Sequence, residues 1–85
     1  MSYPKLPVAI ELTFAPGRIA NPAYFIRREV ERQYNWADVQ VQEDYSFYFN
    51  DWPYYFSRED QKKLDKLTDG AIVHQEVKIQ ALKLV

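Results

Sequence analysis

A chain of 85 residues has room for one hydrophobic core and not two, so residues 1–85 read as a single domain. With no cysteine, disulfide frameworks, thiol nucleophiles and most structural zinc sites are excluded. The formal net charge of −1 divides into +1 over residues 1–42 and −2 over residues 43–85, which lacks the basic stripe that tracking a phosphate backbone requires and disfavours nucleic acid as a partner.

The first element is a strand. In Pro7 to Phe14, Val8, Ile10, Leu12 and Phe14 alternate with Ala9, Glu11 and Thr13, the period of a half-buried strand. The preceding Pro4-Lys5-Leu6-Pro7 matches a P-x-x-P recognition pattern, but reads better as a prolyl lead-in to an edge strand. Pro16-Gly17 is turn chemistry, and Asn21-Pro22 pairs a favoured N-cap with a residue preset for the first helical position. A helix is expected from there to Asn35, burying the stripe Ala23, Ile26, Val30 and Tyr34.

Val39 and Val41 then alternate with Asp38, Gln40 and Gln42 as a second strand, and Glu43-Asp44 is the expected turn. Tyr45, Phe47 and Phe49 alternate with Ser46 and Tyr48 as a third strand, with the odd-numbered rings turned inward. Trp52 to Phe56 is expected as a loop, because Pro53 would confine any strand there to a sheet edge. Ser57 to Asp60 reads as a capping box that opens a second helix, thinly anchored by Leu64 and Leu67 and stopped at Asp69-Gly70. Residues 71–85 are β-branched and alternate from Val77 to Ala81, which favours a bulged strand, although Val73, Val77, Ala81 and Leu84 also share a helical face.

This order, β-α-β-β-α-β, predicts an α+β, ferredoxin-like split βαβ fold: a four-stranded antiparallel sheet with two helices on one face. Its open face would carry Glu11, Thr13, Gln40, Gln42, Ser46, Tyr48, Glu76, Lys78 and Gln80, which is polar with a single ring. RNA-binding domains of that fold stack bases on two or three exposed rings and carry a basic-glycine-aromatic signature. DYSFYF begins with an acid and has no glycine, so its rings are read as core.

Catalytic equipment is sparse. His74 is the one histidine and is read as structural; glycine occurs only at positions 17 and 70, so no phosphate-cradling loop exists; no metal or cofactor is expected. The chain is therefore expected not to be an enzyme. The sequence points to a module that binds another protein, in an accessory or inhibitory role such as small phage or mobile-element proteins play.

Trp52, Tyr54 and Tyr55 are the expected anchors, with Asp51, Glu43 and Asp44 as an acidic rim. A homodimer is the second form such binding could take. Arg18, Arg28 and Arg32 form a candidate anion-binding group beside the first helix, although Glu29 and Glu31 offer ordinary ion-pair partners. Exposed rings plus these arginines would be the equipment of the alternative, a protein that binds single-stranded nucleic acid. With no charged lead and no run of 18 apolar residues, a cytoplasmic protein without membrane contact is expected.

Overall fold

The computed structural model describes residues 6–18, 21–67 and 71–84. Along the chain run β1 (Ala9–Phe14), β2 (Gly17–Arg18), α1 (Pro22–Tyr34), β3 (Gln40–Val41), β4 (Phe47–Phe49), β5 (Trp52–Phe56), α2 (Arg58–Lys66), β6 (Ile72–Val73) and β7 (Val77–Lys83). Five strands form one curled antiparallel sheet in the order β1-β7-β5-β4-β3, and β2 pairs with β6 in a second, two-stranded sheet. The fold is α+β, but the ferredoxin-like arrangement of four strands with two helices on one face is incorrect. Pro4, Lys5, Asp69 and Gly70 lie outside the described residues.

The correction originates at Asn50 and Asp51. Both adopt left-handed backbone, φ 52° and 63°, the pairing that a two-residue type I′ turn requires and that Asn and Asp tolerate. This turn matches the strand twist, so Trp52 to Phe56 folds back on β4 as a strand instead of leaving as a loop, with Phe47 opposite Tyr54 and Phe49 opposite Trp52. β7 then slots between β5 and β1.

Pro53 therefore sits in an interior strand, against the expectation that it forces an edge. Its register places it opposite Leu84, whose N–H donates to the Pro53 carbonyl at 2.9 Å. Proline has no N–H to return to the Leu84 carbonyl. The indole N–H of Trp52 takes that place at 3.0 Å, so the broken ladder bond is replaced by a neighbouring side chain.

The helices begin where the sequence places them. Asn21 caps α1, its side chain accepting from the N–H groups of Ala23 and Tyr24, and left-handed Asn35 (φ 50°) ends it. Ile26 and Val30 are fully buried. Ser57 caps α2 through the Asp60 N–H. Asp60 does not complete a capping box: its carboxylate accepts the Gln80 N–H at 3.1 Å, beyond the point where β5 stops covering β7. Lys63, 3.6 Å from Asp60, donates to the Lys78 carbonyl. Helix α2 thus continues the hydrogen bonding that β5 leaves off, covering a strand edge with its own side chains.

Helix α1 protects both outer edges of the sheet. Its Gln33 amide donates to the Glu11 carbonyl on β1, and its Glu31 carboxylate accepts the Val39 N–H just before β3. The helix bridges the two ends of the curl, and the core fills the space inside. Phe47, Phe49, Tyr54, Phe56, Ile10, Leu12, Ile79 and Ala81 project into it from the sheet, and Ile26, Val30 and Leu64 from the helices. Each large apolar side chain buried in this way stabilises the fold by roughly 1.5–3 kcal/mol.

Two further expectations shift. Tyr45 is not in the strand but in a three-residue turn, Glu43 to Tyr45, with φ 69°, a conformation rare for a bulky residue. Its hydroxyl donates to Asp65 on α2 at 2.9 Å, which ties the turn to that helix. Val8, expected in the core, is 73% exposed because β1 starts at Ala9, two residues later than expected. The last strand carries its bulge at residues 74–76, where three residues stand opposite Ala15 and Pro16, and then runs unbroken through Leu82.

Candidate functional site

Strand β5 changes the outer face of the sheet. Side chains alternate on a strand, so burial of Tyr54 and Phe56 turns Pro53 and Tyr55 outward. In the same way, burial of Ile79 and Ala81 turns Lys78, Gln80, Leu82 and Leu84 outward. Cross-strand register joins these positions: Tyr48 lies opposite Pro53, Tyr55 opposite Leu82, and Leu82 opposite Ala9. The result is an uncharged strip four strands wide, on the order of 15 Å across at the usual strand spacing. Tyr48 is 47%, Tyr55 41% and Leu84 56% exposed within it.

Of these residues the sequence marked Tyr55 as an anchor and placed Tyr48 on the open sheet face without a binding role; Pro53, Leu82 and Leu84 were missed. Leu82 and Leu84 fall out of phase with the buried residues Ile79 and Ala81, and that phase break was the available signal.

The expected anchors do not form one cluster. Tyr54 is 1% exposed, stacks on Phe47 with ring centroids 5.3 Å apart, and donates its hydroxyl to the Pro7 carbonyl at 2.7 Å. It is a core residue and offers nothing to a partner. Burial, followed by the neighbouring Tyr34, raises its phenol above the ordinary range. Trp52, 38% exposed, lies on the face opposite Tyr55, with its N–H held by Leu84 and its ring covered by the Lys83 ammonium at 4.3 Å.

The acidic residues are separated as well. Asp51 is exposed at the Trp52 end of β4, near Tyr48 and Asp38. Glu43 and Asp44 sit in the turn at the other end of the strand. There the Asp44 carboxylate accepts from the Ser46 hydroxyl and N–H, which lowers its pKa.

The three arginines are brought together. Tyr24, Arg28 and Arg32 follow one another at four-residue spacing along α1, and Arg18 reaches the same place from β2. They line a groove of about 550 Å³ that includes Phe14 and Phe25, whose rings stack at 4.0 Å. Arg32 is clamped by Glu29 through two hydrogen bonds of 3.2 and 2.7 Å; this pairing lowers the Glu29 pKa. Arg28 lies 5.7 Å from the Tyr24 ring centroid, and its charge adds, behind that of Arg32, to the lowering of the Glu29 pKa.

His74 is exposed within the bulge. Among the described residues, no group of three or more His, Cys, Asp or Glu side chains is arranged to hold a metal ion. No described helix is long and apolar enough to cross a membrane. Comparisons with family models, with curated proteins and with solved structures find no match.

Proposed function

We propose that this chain is a non-enzymatic module that binds another protein through the outer face of its sheet. The observation that carries this reading is the uncharged strip of Tyr48, Pro53, Tyr55, Leu82 and Leu84, which is contiguous by register and opposite the core. Exposed apolar surface ordered on a rigid sheet is what an interface needs at its centre, and tyrosines supply area at low rotamer cost.

The border of the strip indicates the kind of partner. Asp38 and Asp51 flank it beyond Tyr48, Glu11 stands on its β1 side, and the nearby cation Lys78 is already 3.5 Å from Glu76. Two copies placed face to face would set acid against acid. A partner with an apolar centre and a basic rim fits better, and a homodimer is the less favourable form. Blocking such a surface is how an accessory or inhibitory protein of this size would act.

The nucleic-acid alternative needs rings and cations on one surface. Tyr48 and Tyr55 are on the outer side of the sheet, whereas Arg28 and Arg32 are on the helix that packs against its inner side. That separation favours the protein reading.

The test is quantitative capture from the native source with wild type, a Tyr48→Ser/Tyr55→Ser double variant, and Lys62→Ser on the exposed side of α2. Recovery of a specific partner should fall at least about tenfold with the double variant and be unchanged with Lys62→Ser. Equal recovery by the double variant, with the fold intact by circular dichroism, rejects this surface. Light scattering that rises with concentration for wild type alone would assign the strip to a second copy instead.

A further inference from the structure

At its Tyr48 end, the strip on the outer face adjoins a pocket of about 710 Å³ with a different character. Two separate segments build it: residues 35–38, which follow α1, and the turn between β4 and β5. Asp38 comes from the first and Asp51 from the second, both exposed, and Tyr48, 47% exposed, lines the same space.

Neither carboxylate is engaged inside the fold. Among the described residues the ion pairs join Arg27 to Glu31, Arg32 to Glu29, Lys63 to Asp60 and Lys78 to Glu76, and no side-chain hydrogen bond reaches Asp38 or Asp51. No lysine or arginine lines the pocket. Uncompensated negative charge therefore stands beside an exposed ring, and both features attract the same kind of group, a cation.

The two acids are also held in place. The segment carrying Asp38 is tied to one residue of α1: the Trp36 N–H donates to the Glu31 carbonyl at 2.9 Å and the Val39 N–H to the Glu31 carboxylate at 3.2 Å. Asp51 is the second residue of a two-residue turn that the β4–β5 ladder fixes. Trp36 meets Phe49 edge-on at 5.4 Å, so Tyr48 is the ring that pocket and strip share. Little ordering is left to be lost when a ligand enters.

The kinds of cation differ in what they could use here. A hard divalent metal ion needs more oxygen ligands than two carboxylates supply, and the described residues hold no group of three or more His, Cys, Asp or Glu arranged for one. A lysine ammonium is compact and strongly hydrated and would use the charge alone. A guanidinium is flat, stacks on a ring and donates to carboxylates through a planar fork, so it would use both.

We infer that this pocket receives an arginine side chain of the partner, stacked on Tyr48 and paired with Asp51 and Asp38, while the partner residues next to it lie along the strip toward Tyr55. The inference rests on the outer face being the binding surface, and it replaces a general preference for a basic rim with one side chain at one end of the interface.

The first arm of the test needs no partner. It is a two-dimensional NMR titration at low salt with N-acetyl-arginine amide, N-acetyl-lysine amide and calcium chloride. The arginine probe should give saturable shifts at Asp38, Tyr48 and Asp51 and bind at least about threefold more tightly than the lysine probe. Asp38→Asn/Asp51→Asn removes both charges yet keeps side chains that tolerate the left-handed backbone, φ 63° at each position. It should weaken arginine binding at least about fivefold, and Tyr55→Ser should leave it unchanged. The second arm repeats the capture from the native source, where Asp38→Asn/Asp51→Asn should lower partner recovery at least about fivefold.

Absence of saturable shifts overturns the inference. So does equal affinity for the two amino-acid probes, retained arginine binding in a folded Asp38→Asn/Asp51→Asn, or a tighter response to calcium at Asp38 and Asp51. Recovery that falls with Tyr48→Ser/Tyr55→Ser but holds with Asp38→Asn/Asp51→Asn rejects the arginine pocket and leaves the outer face standing. Recovery that ignores both variants rejects the two together.

Discussion

Pro53 and Trp52 illustrate how one residue can compensate for its neighbour. A proline inside a sheet forfeits one ladder bond, and here the acceptor left over, the Leu84 carbonyl, is satisfied by an indole N–H at 3.0 Å. Trp52→Phe keeps a ring beneath Lys83 and removes only that donor, so it should cost about 1 kcal/mol in urea unfolding. In a Pro53→Val background the strand supplies its own N–H, and the same Trp52→Phe change should cost at least about 0.5 kcal/mol less. Additive costs in this double-mutant cycle would show that the indole bond does not replace the missing ladder bond. None of this could be read from WPYYF alone: proline signals a break, and its repair depends on Leu84, which is 31 positions away in the chain. What was legible at this scale was local, namely the caps Asn21 and Ser57 and the inward phase of Phe47 and Phe49, both 0% exposed.

At the scale of elements, the sequence revealed helices better than strand pairing. Both helix starts rest on side chains hydrogen-bonding their own neighbours, a short-range property. The fifth strand rests on a two-residue turn built from Asn50 and Asp51 without the usual glycine, so the sequence signal for a hairpin was weak although the backbone is the standard one. The role of α2 was also misread, because a serine followed by an acid three residues later fits a reciprocal cap, whereas the acid serves a strand. Asp60→Ala should therefore affect β7 more than the helix. The Gln80 amide should exchange with deuterium faster, at least about fivefold, while the first amides of α2 change little. Faster exchange confined to the α2 N-terminus would restore the capping-box reading.

For the whole molecule, the central feature is a helix that bridges the two ends of a curled sheet. Glu31 and Gln33 carry the polar contacts of that bridge, to the Val39 N–H and the Glu11 carbonyl. A Glu31→Ala/Gln33→Ala variant should lose only about 1–2 kcal/mol of stability, since neither group is buried deeply. It should nonetheless associate as concentration rises, because bared strand edges invite pairing. Light scattering at two concentrations measures this, and a strictly monomeric double variant would refute the protective role. The candidate surfaces follow from the same global geometry. The arginine cluster was legible because α1 spaces Tyr24, Arg28 and Arg32 itself, whereas the outer strip was not, since it is assembled from four strands whose order the sequence did not disclose.

The pairing of β1 with β7 has a mechanical consequence. Ala9 lies opposite Leu82 and Phe14 opposite Val77, so the flanks of this ladder that lead toward the two chain termini leave it at the same end. Tension applied to those flanks would load the Lys83–Val8 hydrogen bond first and peel the ladder open one rung at a time, never straining all its rungs at once. A molecule built in this way yields to modest pulling along its own chain even where it withstands heat or denaturant.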